Sequence, residues 1–305
     1  MQTRGFCAII HFVHFFTGGQ ERMTKQKIGV VDVGGGTRGI FGAGVLDRCM
    51  DLGIRFDFFV GVSAGSANGA SYIAGQRGRN FVFYNDYAFR KEYMSLDNLV
   101  KTGSYLGLDY IYSTLSNDDG EYPLDYDAMM ADPCDFEVVA TNAVTGRAMY
   151  LKKSEIQRNQ YDFFKASSCV PGIDKPYYIG KIPCYDGGLA DPIPYKRAFR
   201  AGCDKVVVIL TKPRDTVRNS GKDRLLAAAI AGDYPKAAET WINRADVYNK
   251  SIEEIFELEK EGRVLIVAPE NIGELKTLSQ DHAALEDLYE QGLKAADAIP
   301  EFITE

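Results

Sequence analysis

The sequence predicts an α/β protein organised on a largely parallel sheet, and three observations carry that prediction. Residues 28–33 are an apolar, β-branched run of strand length that ends in Gly34-Gly35-Gly36-Thr37-Arg38-Gly39. Apolar residues then recur at helical spacing (Ile40, Phe41, Val45, Leu46, Cys49, Met50) before a second apolar run at residues 56–60. A strand, a tight loop, a helix and a strand in so short a span is a βαβ unit, and two strands joined by a helix lie parallel. The second run feeds Gly61-Val62-Ser63-Ala64-Gly65, followed at residues 66–74 by small, proline-free sequence that reads as a helix.

The remaining elements follow in order. Gly53 suits the left-handed residue that closes the first helix. Two stretches, residues 80–94 and 103–130, are crowded with aromatics such as Phe83, Tyr84, Tyr93 and Tyr112. These are expected mainly as packing between helices, with a cap over an apolar cleft as the functional alternative. Residues 136–142 read as a strand, 144–147 as a turn and 148–151 as its antiparallel return. Residues 161–168 form a short helix that Pro171-Gly172 stops. Residues 181–185 lead into Asp186-Gly187-Gly188, and Pro194 suits the first turn of a helix running to Gly202. Residues 205–210 and 263–267 are two further strand-like runs. Between them residues 223–258 are helical, with a break at Gly232-Asp233-Tyr234-Pro235. A last helix spans 279–298, capped by Ser279 or Asp281, with its leucines on one side.

Bulk properties exclude several functions. The net charge of −7 lacks the basic face that nucleic acid demands. There is no polybasic cluster for an anionic bilayer, so any contact with a membrane surface is expected to be transient, apolar and local. The six cysteines form no C-x-x-C pair and are expected as reduced thiols in a cytoplasmic protein. Three histidines and no H-E-x-x-H argue against a zinc hydrolase, and neither metal nor cofactor is expected. The apolar stretch at residues 6–16 is too short to span a bilayer and lacks a convincing cleavage site, while Met23 is a plausible start. Residues 1–26 are therefore expected to be a disordered or mis-assigned leader, residues 27–215 the catalytic core, and residues 216–305 a mainly helical segment with one strand, packed on that core.

G-x-S-x-G between a strand and a helix places a serine hydroxyl at the top of a sheet. Gly61 and Gly65 leave room where a Cβ on either side would crowd the turn, and unusual backbone angles are expected there. Ester hydrolysis by Ser63 also needs donors for an oxyanion and a base for the hydroxyl proton. The bare amides of Gly34, Gly35 and Gly36 are candidate donors. Arg38 either adds charge there or forms a structural ion pair. The single histidine after Ser63 is His282, so a Ser63–Asp186–His282 triad is formally available. However, His282 falls in the first turn of the last helix, a setting that suits a surface or capping residue. Otherwise a carboxylate must serve; Asp186 precedes Gly187-Gly188 on a loop after a short strand, and Asp-Gly-Gly on its own reads as a turn.

Taken together, Gly34-Gly35-Gly36-Thr37-Arg38-Gly39, Gly61-Val62-Ser63-Ala64-Gly65 and Asp186-Gly187-Gly188, with Ala166-Ser167-Ser168 and Pro171 ahead of the last, resemble the bacterial branch of the patatin-like phospholipases. The resemblance spans about residues 27–210. It implies a three-layer α/β/α fold with a mostly parallel central sheet, a Ser63–Asp186 dyad and an oxyanion hole from the loop carrying Gly34, Gly35, Gly36, Arg38 and Gly39. It further implies metal-free hydrolysis of lipid acyl esters, of phospholipase A or lysophospholipase type, with no nucleic-acid partner. Two rivals stand beside it. Gly34-x-Gly36-x-x-Gly39 with Asp57 fits a dinucleotide fingerprint, though Asp57 opens the second strand where the fingerprint acid closes it. The other is a non-catalytic lipid-binding or regulatory member of the same family.

Overall fold

The computed structural model describes residues 26–304. The expected leader, apart from its last residue, lies outside the described residues. The chain opens as the βαβ unit: β1 (Ile28–Asp32), α1 (Ile40–Asp51), β2 (Phe58–Val62) and then α2 (Ala64–Ile73). Three short helices follow, α3 (Arg79–Asn85), α4 (Leu96–Thr102) and α5 (Tyr126–Ala131). The hairpin is β3 (Asp135–Asn142) and β4 (Ala148–Lys152). Next come α6 (Asp162–Ser168), β5 (Tyr177–Ile179), β6 (Ile182–Asp186), α7 (Tyr195–Arg200) and β7 (Lys205–Ile209). The chain ends with α8 (Gly221–Ala227), α9 (Pro235–Lys260), β8 (Val264–Val267), α10 (His282–Ala295) and α11 (Ile299–Thr304).

All eight strands join one sheet in the order β5-β6-β3-β2-β1-β7-β8, with β4 on β3. The five strands β3, β2, β1, β7 and β8 run parallel; β4 and β6 run against them, and β5 pairs antiparallel with β6. Side chains alternate across each strand, which is why both faces are apolar and both carry helices. Val30, Phe59, Val138 and Val207 pack on one face with α1, α2 and α10. Val31, Val60, Val139 and Val208 pack on the other with α7 and α9. The result is the three-layer α/β/α architecture with a mostly parallel sheet. On the first face α1 and α10 touch backbone to backbone. A Cβ on Gly44 would overlap the Tyr289 carbonyl, and one on Gly292 would overlap that of Phe41.

Two features of the topology position the site. The chain leaves β1 toward β2 and β3, then later returns to β1's other edge as β7. A cleft opens beyond the carboxyl ends of the strands at such a switch point. Second, β3 outruns β2. Val62 pairs with Val139, whereas the next residue, Ala140, pairs with Asp186 of β6. Because β4 covers β3's opposite edge at Ala140, β2 and β6 occupy the same edge end to end. Their meeting ends are Ser63 and Asp186.

Candidate active site

Ser63 sits between the end of β2 and the first turn of α2, with φ 54° and ψ −127°. A side chain rarely adopts such angles, so the surroundings must impose them. The Ser63 N–H donates to Ser167 Oγ at 2.8 Å, and Ser167 Oγ donates to the Val139 carbonyl at 2.6 Å. The Ser63 carbonyl accepts from the Ser66 N–H at 2.9 Å and the Ser66 hydroxyl at 2.6 Å. Gly61 and Gly65 themselves keep ordinary φ. They are glycines for space: a Cβ on Gly61 would press on the Ser66 backbone, and one on Gly65 on the Asp32 carbonyl. The unusual backbone expected of the flanks belongs instead to the serine. Below it, the N-terminus of α2 adds positive potential.

Asp186 is fixed by its backbone before its side chain is considered. Its N–H donates to the Cys169 carbonyl at 2.7 Å, and its carbonyl accepts from the Thr141 hydroxyl at 2.8 Å. Asp186 Oδ1 accepts from the Gly188 N–H at 2.7 Å, and Ser63 and Asp186 line the same cleft. Gly187 turns away against the Val139 carbonyl, where no Cβ would fit. Burial pushes the Asp186 pKa up. The positive charge of Arg244, the nearby Ser63 side chain and the Gly188 N–H pull against it.

The glycine loop reaches the same point from β1. Gly34, Gly35 and Gly36 have φ of 64°, 142° and 62°, so each holds a backbone that a side chain would strain. A Cβ on Gly34 would overlap the Val62 carbonyl, and one on Gly36 the Thr277 carbonyl. The Gly34 N–H is engaged by Asp32 Oδ1 at 3.1 Å, and the Gly34 carbonyl accepts from the Thr211 hydroxyl. Among the described residues the N–H groups of Gly35 and Gly36 have no acceptor. Gly39 packs under Tyr84 and Ala64, and its carbonyl accepts from Asn68. Arg38 is buried, donates to Thr277 Oγ1 at 3.4 Å, and has its pKa lowered to about 10, chiefly by burial. It forms no ion pair among the described residues.

Sequence reasoning overlooked Asp32. Its Oδ2 accepts from Asn68 Nδ2 at 2.9 Å while its Oδ1 holds Gly34, so one carboxylate ties the glycine loop to α2. Burial pushes its pKa up to about 6. The signal was an aspartate inside an otherwise apolar strand. Asp57 lies at the other end of the sheet, where its carboxylate accepts from the Ile28 N–H at 2.8 Å. His282 stands outside the cleft. It is exposed, stacks on Phe89 with ring centroids 3.6 Å apart, and its Nδ1 lies 3.3 Å from Asn85 Oδ1.

The cleft over Ser63 and Asp186 encloses about 680 Å³, within the range of small-molecule sites. Phe83, Tyr84, Tyr93, Leu106, Leu108 and Tyr112 line it, so part of the aromatic stretch both packs and faces the cavity. The C-terminal segment supplies Trp241, Arg244, Leu275 and Thr277 to its walls. The five described cysteines are buried and unbridged, and no helix among the described residues is long and apolar enough to cross a membrane.

Known proteins resemble this chain as follows. An uncharacterized protein of Escherichia coli (strain K12), YjjU, is 31% identical over 192 residues, covering 61% of this chain and 52% of its own. The chain thus spans about half the length of that relative. The crystal structure of VipD from Legionella pneumophila superposes with a TM-score of 0.44 at 14% identity, over 90% of this chain and 67% of that one. A model described as a domain of unknown function (DUF6363) matches residues 234–303. The model for patatin-like phospholipases matches residues 33–199, more than half of the chain and every motif set out above, and the protein belongs to that family.

Proposed function

We propose that the protein is a serine acyl hydrolase of lipid esters, of phospholipase A or lysophospholipase type, working through a Ser63–Asp186 dyad. The observation that carries this reading is the meeting of Ser63 and Asp186 in one cleft, at the abutting ends of β2 and β6, beside the Gly35 and Gly36 N–H groups, which have no acceptor among the described residues. Ser63 Oγ attacks the ester carbonyl carbon while its proton passes to Asp186. The carbonyl π pair moves onto oxygen, which accepts hydrogen bonds from Gly35 and Gly36. Collapse breaks the bond to the alcohol oxygen, which takes the proton back from Asp186. Water then repeats the sequence on the acyl-enzyme and restores Ser63.

An ordinary aspartate is too weak a base for this task. Burial raises the affinity of Asp186 for a proton, and the positive charge of Arg244 pulls the other way. Met94, Leu106, Leu108 and Ile111 offer the acyl chain an apolar wall. The rim carries exposed apolar side chains, Val217 at 81% and Leu226 at 45% exposure. That rim suits brief contact with a lipid surface.

The test is a panel of p-nitrophenyl esters and phospholipids run on wild type and Ser63→Ala, with a fluorophosphonate probe on both. Turnover and labelling in wild type alone support the reading. A wild-type protein that binds lipid vesicles yet neither turns over nor labels refutes it.

A further inference from the structure

Four cations converge on one wall of the cleft. Arg38 comes from the turn after the glycine loop, Lys212 follows β7, Arg218 belongs to the loop before α8, and Arg244 projects from α9. None of the four is ion-paired among the described residues. The Nε atoms of Arg38, Arg218 and Arg244 are buried and have no hydrogen-bond partner. Buried donors in folded proteins nearly always find an acceptor, so three such donors on one wall call for an explanation.

The cluster is built rather than loose. Asn249 of α9 clamps the Arg218 backbone, accepting from its N–H at 2.8 Å and donating to its carbonyl at 2.9 Å. The Arg218 guanidinium lies 4.1 Å from the centre of the Tyr248 ring, and Trp241 Nε1 donates to Asp223 Oδ1 at 3.3 Å. Trp241, Arg244 and Tyr248 recur on one face of α9, so a single helix organises this wall. Arg244 Nη2 comes within 3.5 Å of where a Gly188 Cβ would lie, which sets it beside Asp186. The cations repel one another. Burial first, then Arg218, Arg38 and Arg244, lower the Lys212 pKa to about 8, and burial, Arg244 and Arg38 lower that of Arg218 to about 10.

The carboxylates on this wall are Asp186 and Asp223. Arg244 lies beside Asp186, and Asp223 offsets one further charge. Two carboxylates against these four cations, with the exposed Lys276 also in the lining, leave a surplus of at least two positive charges, which suits a phosphomonoester carrying about −1.5 to −2 at neutral pH. A zwitterionic head would leave the surplus unmet. Arginine forks also suit phosphate oxygens, which accept two parallel hydrogen bonds. Arg79 also faces the cleft but is committed elsewhere, donating to Ser71, Ser116 and the Tyr122 carbonyl.

We infer that Arg38, Lys212, Arg218 and Arg244 form a phosphate-binding subsite, and that the preferred substrate is an acyl ester bearing a phosphomonoester head, of the phosphatidate or lysophosphatidate kind. The substrate part of this inference rests on the hydrolase reading above.

The experiment compares lysophosphatidate with a monoacylglycerol of the same acyl chain, on wild type, Arg218→Gln and Arg218→Lys. Wild type is expected to favour the phosphorylated ester in kcat/KM by about tenfold or more, the order of one buried charged hydrogen bond. Arg218→Gln should collapse that ratio, mainly through KM for the phosphorylated ester, and Arg218→Lys should restore part of it. Independently of turnover, inorganic phosphate should raise the melting temperature of wild type and of Ser63→Ala, but not of Arg218→Gln. Equal kcat/KM on both esters in wild type overturns the substrate assignment, including when phosphate still stabilises the fold and the subsite reads free phosphate. Arg218→Gln lowering both esters alike, or no thermal shift with phosphate, overturns the subsite. If wild type hydrolyses neither ester, the hydrolase reading fails, and the thermal shift in Ser63→Ala still decides the subsite.

Discussion

The backbone of Ser63 makes a prediction about stability that its chemistry does not. At φ 54° and ψ −127° the residue sits where a Cβ is poorly accommodated. Such a conformation costs on the order of 1–3 kcal/mol. Replacing Ser63 with alanine removes the hydroxyl but keeps the Cβ, so the strain stays. Replacing it with glycine removes both the hydroxyl and the strain, against a glycine entropy cost of about 0.5–1 kcal/mol. Whatever the hydroxyl contributes is lost equally in the two variants and cancels from their comparison. Ser63→Gly should therefore be more stable than Ser63→Ala by roughly 1 kcal/mol, the difference between those two ranges near their centres. For a chain of this size that is a gap of about 2–4 °C in melting temperature. Thermal and urea unfolding of the two variants side by side measures it, and neither should turn over esters. A glycine variant that melts below the alanine variant would show that the elbow is not strained and that the network through Ser167 and Ser66 is not what imposes it.

Three further outcomes are expected. Asp186→Asn should lower kcat by about 10²–10⁴-fold, the usual contribution of a general base. In wild type the protonated carboxyl cannot accept the serine proton, so activity should fall as pH drops through the Asp186 pKa. Because burial raises that pKa, the acid limb should lie above the range of an exposed aspartate and disappear in Asp186→Asn. His282→Ala should leave kcat within about twofold of wild type, well short of the loss that follows removal of a base; a large loss would reinstate the triad. Val217→Asp should reduce turnover of phospholipid in vesicles while sparing a water-soluble ester, because Val217 lies on the exposed rim. Equal loss on both substrates would mean the rim shapes the cleft instead of meeting a lipid surface.

The features legible in the sequence are those whose causes are local. Three successive glycines are required where three successive φ values are positive, and Gly53 is required where α1 must end in a left-handed residue. Apolar runs bounded by glycine and proline mark β1, β3, β7 and β8 without any knowledge of their neighbours. Features that arise from pairing are not legible in this way. Nothing near Asp186 says that β6 will continue along β3 where β2 stops, yet that register brings the carboxylate to Ser63. β5 is three residues long and takes its place from β6 rather than from its own pattern. The aromatic stretch was ambiguous because the same rings do two things: Phe83 and Tyr112 are buried, and both still line the cleft.

The cationic wall was the least legible part, for a reason that also bears on the C-terminal segment. Arg38, Lys212, Arg218 and Arg244 lie far apart in the chain, and single basic residues at such spacing usually belong to a solvated surface. Their meeting depends on α9 crossing the sheet face formed by Val31, Val60 and Val208, where Tyr248, Ile252 and Ile255 are buried. The same helix turns Arg244 toward Asp186 and holds the Arg218 loop through Asn249. Farther on, the Thr277 carbonyl accepts from the Thr37 N–H at 2.8 Å, against the turn that follows Gly36. The segment beyond the patatin-like match therefore reaches the glycine loop, the neighbourhood of Asp186 and the cleft wall. Apolar burial of α9 against the sheet supplies the energy that holds mutually repelling charges together, so what looks like a structural appendage sets the electrostatics of the cleft.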